Sequence, residues 1–524
     1  MGSPIVPALR TRLWAVAEGS RLRSRFRFPA DPRDRFSRDR YFAMPAIRPT
    51  LYVSSIILMI LGAMMFVPLT ADLATGSPDR MAFLWSGTAT LVLASMLFIS
   101  TRGPITRMAI REMALLTTVS WLLVSAFGAL PFVLCQLQLS YTDAFFETVS
   151  GLTTTGSTVL TGLDDMPADI LLWRGILHWI GGVGIVVMGL AILPIMGIGG
   201  MQLFRMESSD RSEKVFPRAR QLAGALGGVY VLLTFLCAIC FWLAGMTAFE
   251  SVVHAMATLA TGGFSTSDMS IGHFDSVGVE VVAMVFMIVG SLPFSIYLWI
   301  VVRHRFPRID EQVKLFFWIV AGSIFALTAW RVLDAGELPL KALRETAFSV
   351  VSVISTTGYA TADYNEWGSF AHVVFLMLTI VGSCTGSTAG GLKMFRLYIM
   401  IRLLRNSMHR LLRPHAVRPA RYAGYRIEPD VPISVIAFVT AYMGTLVLFT
   451  LLLSLTGLDF VSSLSGTATA LSNVGPGLGS TIGPAGNFQS LSDSAKWLLS
   501  AAMLLGRLEF FTVLLLCMPE FWRG

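Results

Sequence analysis

The stretch AFFETVSGLTTTGSTV (Ala144–Val159) begins as a half-length apolar helix pattern and closes on small hydroxyl residues and a glycine. It has three echoes: ESVVHAMATLATGGFST (Glu250–Thr266), TAFSVVSVISTTGYAT (Thr346–Thr361) and FVSSLSGTATALSNVGPGLG (Phe460–Gly479). Aligned on Gly156, Gly262, Gly358 and Gly475, the four are spaced by 106, 96 and 117 residues. Each lies between two long apolar runs and is too short to cross a bilayer itself. The repeated unit is therefore span, short re-entrant segment, span.

A non-helical backbone cannot face lipid, because its N–H and C=O groups would go unpaired. Four such segments must be buried together or line a water-filled path. Glycine tolerates positive φ, so carbonyls next to it can turn in unusual directions. The candidate ring consists of Thr154-Thr155-Gly156, Ala260-Thr261-Gly262, Thr356-Thr357-Gly358 and Asn473-Val474-Gly475. Four loops of this kind can present backbone carbonyls to one axis and replace a cation's hydration shell. The short helices would end near the centre, where their C-terminal partial negative charge favours a cation. The fourth loop departs most from the pattern.

The remaining sequence agrees. Of 524 residues, 54% are hydrophobic and 14% charged, against roughly 25% charged in a soluble domain. Mean hydropathy is +0.67, which excludes a soluble enzyme. A span needs about 20 apolar residues. The expected runs are Leu51–Ala71, Met81–Thr101, Met113–Gln136, Asp169–Met196, Ala223–Met246, Val277–Val302, Lys314–Ala335, Ser369–Ile401, Val431–Thr456 and Ala495–Met518. The first two precede the repeats. The five cysteines all fall in apolar runs, and the C-x-x-C of Cys237 and Cys240 reads as helix packing. Trp173, Trp179 and Trp330 read as interfacial anchors, and His254 as packing. Nothing in the sequence resembles a metal cluster, a phosphate loop or a catalytic triad.

Thirty-three of the 40 Lys and Arg residues fall on the side of the N-terminus, six on the other side, and Arg507 inside a span. Both termini are expected in the cytoplasm. The outer side carries 18 of the 32 acidic residues, which would concentrate cations at an external mouth.

Two further features stand out. Gly382, Ser383, Thr385, Gly386, Ser387, Thr388, Ala389, Gly390 and Gly391 crowd one stretch of an apolar run. They allow either a helix break or close helix packing. Arg507 sits mid-span with Glu509 two residues on, so the two do not share a helix face and need different partners. A charge at that depth faces a cavity or a partner.

The chain resembles the membrane subunit of Trk-type potassium uptake systems, within the wider Trk/Ktr/HKT superfamily. The carrying motifs are SGLTTTGST (Ser150–Thr158), TLATGGFST (Thr258–Thr266), ISTTGYATADY (Ile354–Tyr364), SNVGPGLG (Ser472–Gly479), GSCTGSTAGGLKMFR (Gly382–Arg396) and LLGRLEFFTVL (Leu504–Leu514). The resemblance covers roughly residues 50 to 520 and implies an all-α polytopic membrane protein. Four span–pore-loop–span repeats would form a pseudo-fourfold pore, with two extra N-terminal transmembrane helices. The expected division is a basic tail at 1–49, the extra spans at 50–110, and repeats at 111–204, 205–313, 314–426 and 427–524.

By resemblance the four loops bind K+, and glycine at all four aligned positions favours potassium over sodium. The run containing Gly382, Gly386, Gly390 and Gly391 lies beneath the filter as a gate, Lys393 marks its cytoplasmic end, and Arg507 projects into the path as an electrostatic brake. The resemblance also implies a homodimer in a bacterial inner membrane, working with a cytoplasmic nucleotide-binding regulatory subunit. No covalent cofactor, enzymatic reaction or nucleic-acid partner is expected. The loops Arg205–Arg220 and Lys393–Arg426 read either as docking surfaces for that subunit or as positive-inside bias alone. Uptake coupled to H+ or Na+ is the alternative on the same fold. A polytopic membrane enzyme would need convergent acids, histidines or metal ligands at membrane depth, which the sequence lacks.

Overall fold

The computed structural model describes residues 47–75, 79–103, 109–188, 219–304, 309–414, 421–422, 425–427, 429–508 and 510–523. Most of the basic tail, most of the Arg205–Arg220 loop, and Glu509 lie outside them.

The regular secondary structure of the described residues is helical apart from a short hairpin pairing Arg421–Tyr422 with Tyr425–Arg426. Two spans, α1 (Ile47–Met64, continued by the short α2, Pro68–Thr75) and α3 (Arg80–Thr101), pack on each other and on the first repeat. Small residues allow the close approach. A Cβ on Gly62 would lie 3.0 Å from Leu91, and Ser54 and Ser120 hydroxyls hydrogen-bond at 2.9 Å across the contact.

The first repeat is α4 (Ile110–Gly128, with the short α5, Leu130–Leu134), α6 (Tyr141–Leu152) and α7 (Ala168–Val187). The second is α8 (Ala219–Leu243), α9 (Ala248–Leu259), and α10 (Val277–Ser291) with α11 (Phe294–Arg303). The third is α12 (Glu311–Asp334), α13 (Pro339–Ile354), and α14 (Ser369–Val381) with α15 (Met394–Leu412). The fourth is α16 (Asp430–Ser454), α17 (Phe460–Ser472), α18 (Asp493–Arg507) and α19 (Phe510–Cys517), followed by the short α20 (Pro519–Arg523).

The short helices α6, α9, α13 and α17 are the re-entrant segments, and each has its own start signal. Ser140, Thr247 and Asp459 accept hydrogen bonds from N–H groups of the first turns of α6, α9 and α17. Glu250 completes a capping box with Thr247. Pro339 opens α13 at the first helical position. The C-terminal halves of all four helices are largely buried among the longer ones, whereas Phe235, Phe325 and Leu451 are exposed on outer helices, as lipid-facing residues should be.

Seven described helices are long and apolar enough to cross a membrane, and two bent pairs bring the total to nine. The pair α10/α11 turns through 93°, and the pair α18/α19 through 115°. At the first bend Leu292 is extended (φ −86°, ψ 155°), as a residue before proline prefers. The eighth expected span, Ser369–Ile401, is not continuous: residues 382–393 between α14 and α15 are non-helical. Trp173 corrects its sequence reading. It is completely buried, with Nε1 donating to the Gly128 carbonyl at 3.2 Å, so it packs α7 against α4 and is no interfacial anchor. His254 is buried, and both its ring nitrogens have hydrogen-bond partners.

Candidate functional site

Each re-entrant helix ends the same way. Thr154 (φ 52°), Thr261 (52°), Thr356 (57°) and Asn473 (55°) are left-handed. Their N–H groups donate three residues back, to Gly151, Thr258, Val353 and Ala470, at 3.0 to 3.3 Å. The next N–H groups, of Thr155, Gly262, Thr357 and Val474, donate five residues back, to Ser150, Ala257, Ser352 and Thr469, at 2.8 to 3.0 Å. This is the Schellman ending, which normally places glycine or asparagine in the left-handed position. Here three of the four are β-branched threonines, each at a cost of about 1–3 kcal/mol. Such strain persists only where surrounding contacts fix it, and it clusters at functional sites.

Two residues after each left-handed residue comes a glycine of positive φ: Gly156 (87°), Gly263 (85°), Gly358 (82°) and Gly475 (107°). The second loop therefore differs from the alignment read from sequence. Gly263, not Gly262, is the counterpart of Gly156, and Gly262 takes the place of Thr155, Thr357 and Val474.

The loops then close a ring. A Cβ on Gly156 would lie 2.2 Å from the Gly262 carbonyl oxygen, on Gly263 1.9 Å from that of Thr357, on Gly358 2.1 Å from that of Val474, and on Gly475 2.7 Å from that of Thr155. Each contact joins one loop to the next, and the fourth returns to the first. Only glycine fits at these four positions, both for φ and for space. Ser157 Oγ donates to the Gly475 carbonyl at 2.9 Å, and Asn473 Nδ2 to Thr155 Oγ1 at 3.0 Å, fastening the fourth loop to the first. The carbonyls of Thr155, Gly262, Thr357 and Val474 belong to buried residues, and no described protein group donates a hydrogen bond to them. Buried carbonyls are normally paired.

The segment 382–393 packs beside this ring. Its two ends are clipped together: the N–H groups of Leu392 and Lys393 donate to the Ile380 and Val381 carbonyls, and Gly382 meets Gly390 and Gly391 too closely for any Cβ. The N–H of Cys384 donates to Ser291 O, that of Thr388 to Gly290 O, and that of Phe294 to Gly386 O, all at the bend of α10 and α11. Gly390 N–H donates to Thr356 Oγ1 at 2.9 Å, and Ser383 Oγ to Ile354 O at 2.7 Å, tying the segment to the third loop. Thr388 Oγ1 lies 3.0 Å from the carbonyls of both Leu259 and Gly290. The break reading of the small-residue run fits this backbone; continuous helix packing does not.

Arg507, at the end of α18, is buried. Nη1 donates to the Thr388 carbonyl at 2.8 Å, while Nε and Nη2 have no described hydrogen-bond partner. Lys393 is also buried and has φ 73°. Arg396, three residues on, lies over the Phe438 ring at 3.5 Å. Sequence reading singled out Arg507 and the glycines. It missed Gly263, whose signal was the doubled glycine in ATGG, and named Thr388 only as one of the small residues of the run.

Four loops closed into one ring of glycines, with buried carbonyls that no described group pairs, can present oxygen ligands to a cation. The chain matches the family model TrkH, described as cation transport protein, over residues 79–523. It is 45% identical over 478 residues to the Trk system potassium uptake protein TrkI of Halomonas elongata, covering 91% of this chain and 97% of that one. It is 36% identical over 483 residues to TrkH of Escherichia coli strain K12, covering 90% and 99%. The crystal structure of the potassium transporter TrkH from Vibrio parahaemolyticus superposes with a TM-score of 0.84 at 33% identity, covering 91% of this chain and 99% of that one. The chain therefore belongs to the TrkH family of cation transport proteins; it is a transporter and not an enzyme.

Proposed function

We propose that this chain is the potassium-conducting subunit of a Trk-type uptake system in a bacterial inner membrane, passing K+ inward through the four-loop ring. The observation that carries the reading is the set of four buried carbonyls, Thr155, Gly262, Thr357 and Val474, that accept no hydrogen bond from the described residues. A dehydrated cation on the axis would supply their missing partner. The left-handed Thr154, Thr261, Thr356 and Asn473 set the direction of these carbonyls, and Gly156, Gly263, Gly358 and Gly475 let the loops close. Potassium as the ion is supported by what the relatives transport.

Inward flow is driven by the membrane potential, worth about 2.3 kcal/mol per charge per 100 mV. At about −150 mV that is roughly 3.5 kcal/mol, a few hundredfold accumulation of a monovalent cation. The segment containing Gly382, Gly386, Gly390 and Gly391, with Lys393, is the gate. Arg507 is the brake, its positive charge opposing a cation on the path below the ring. Opening means releasing the hydrogen bonds that hold Thr388, Cys384 and Gly390. In this reading the termini are cytoplasmic, the protein is a homodimer, and a cytoplasmic nucleotide-binding regulatory subunit docks on the basic loops. The division at 50–110, 111–204, 205–313, 314–426 and 427–524 marks the working units.

The test is the reversal potential of the purified protein in planar bilayers under potassium, sodium and proton gradients. The reading expects the reversal potential to follow the potassium gradient. A reversal potential indifferent to potassium contradicts it.

A further inference from the structure

Glu147 on α6 and Arg174 on α7 meet Oε1 to Nε at 2.9 Å, with side chains 0% and 1% exposed. Two charges so buried are costly unless their other donors and acceptors are satisfied. Here the partners come from the chain just beyond the ring. Thr158 Oγ1 lies 3.0 Å from both Glu147 carboxylate oxygens, and Val159 N–H donates to Oε2 at 3.0 Å. Arg174 Nη2 donates to Thr158 Oγ1 at 3.2 Å, and Nη1 to the Ser265 carbonyl at 2.8 Å. The guanidinium lies over the Phe264 ring, 4.1 Å from its centroid.

Thr158 is two residues beyond Gly156, and Ser265 two beyond Gly263. The planar fork of Arg174 thus holds equivalent points of two adjacent loops at once. One turn further along α7, His178 repeats the link. Its Nε2 accepts from Phe264 N–H at 3.1 Å, and its Nδ1 donates to the Gly151 carbonyl at 2.8 Å. Thr258 and Tyr359 join the second and third loops, and Asn473 and Thr155 the fourth and first; the ion pairs Arg344–Glu280 and Lys496–Asp143 also join those repeats, but near the N-terminal ends of their helices. Among the described residues, Glu147–Arg174 is the one ion pair whose members hydrogen-bond to the chain just beyond the ring.

We propose that Arg174, anchored by Glu147, is a positioning residue for ion selectivity: its guanidinium fixes the spacing of the first and second quadrants of the filter. The inference rests on the filter reading above. Selectivity then depends on the shape of the fork and not only on its charge, because an ammonium in the same place cannot hold Thr158 and Ser265 together.

The experiment is the potassium-to-sodium permeability ratio of the reconstituted full chain, measured for Arg174→Lys, Thr158→Val and Gly156→Ser beside the wild type. Arg174→Lys keeps the charge opposite Glu147. Thr158→Val is close to isosteric, keeps both charged residues, and removes the hydroxyl shared by Arg174, Glu147 and the Leu160 N–H, so it tests the link even where Arg174→Lys fails to assemble. Both are expected to lower the ratio by about fivefold or more, which is what losing one ordinary hydrogen bond corresponds to. A wild-type ratio in folded Thr158→Val or Arg174→Lys, with Gly156→Ser still shifting it, overturns the positioning role and leaves the filter reading standing. An unchanged ratio in Gly156→Ser as well overturns both.

Discussion

Gly475 seats against the carbonyl of Thr155, so that a Cβ on the glycine would lie 2.7 Å from that oxygen, although 320 residues of chain separate the two. This contact turns four similar loops into a closed ring. The other three contacts are tighter still, and each is made by backbone, which cannot swing aside as a flexible side chain could.

The register of the second loop follows from the same contacts. Gly263→Ala would drive a Cβ to 1.9 Å from the Thr357 carbonyl and force a side chain on φ 85°. It should abolish potassium selectivity while protein still reaches the membrane. Gly322→Ala, on the outer helix α12 with nothing near its Cβ, is the control. It should leave selectivity alone and slightly raise stability, by up to about 1 kcal/mol. Permeability ratios and thermal melts check both.

Much of the site was legible because its chemistry repeats. Four hydroxyl-and-glycine endings between apolar runs identify the loops, and the glycine run at Gly382–Gly391 identifies the break. The second loop was misaligned by one residue because ATGG offers two glycines, and only the backbone dihedrals tell which has positive φ. The bend at Leu292 had a signal in Pro293, but a continuous apolar run masked it. Trp173 was misread because hydropathy does not say which face of an inner helix meets lipid. Arg174 counted only as an outer-side charge, since Glu147, its partner, lies 27 residues away on another helix.

Shortening the run Gly382–Gly391 should raise cation flux without loss of membrane protein, because it removes the hydrogen bonds to the α10/α11 bend and to Thr356. Radiotracer uptake into proteoliposomes measures this. Flux and assembly both unchanged would mean that the segment only fills space.

Arg507→Ala should raise potassium conductance. A full charge about 8 Å from a passing ion, at an effective dielectric constant of about 20, opposes it by about 2 kcal/mol, so the gain is at most roughly thirtyfold. Single-channel recording checks the size. Wild-type conductance in a folded variant would mean that the guanidinium serves only to hold the Thr388 carbonyl.

Asp459 caps α17 through the N–H groups of Val461 and Ser462. Hydrogen bonding to Ser462 holds its carboxyl below the ordinary 3.8. A depressed carboxyl contributes stability that is full above the unfolded value and lost as pH falls through the folded one. The cap's contribution should therefore be flat from neutral pH down to about pH 5 and vanish only in stronger acid. Asp459→Ala should cost about 1 kcal/mol, and Asp459→Asn much less. Thermal melts of the three proteins across pH check this.

The central claim is that four backbone loops form one potassium filter, and the most direct measurement is the potassium-to-sodium permeability ratio of Gly156→Ser under bi-ionic conditions. The serine Cβ would stand 2.2 Å from the Gly262 carbonyl oxygen at φ 87°, so the first and second quadrants must both shift. The expected result is a fall in the ratio, with sodium competing better, in protein that still assembles. An assembled Gly156→Ser protein with the wild-type ratio would contradict the filter at its centre.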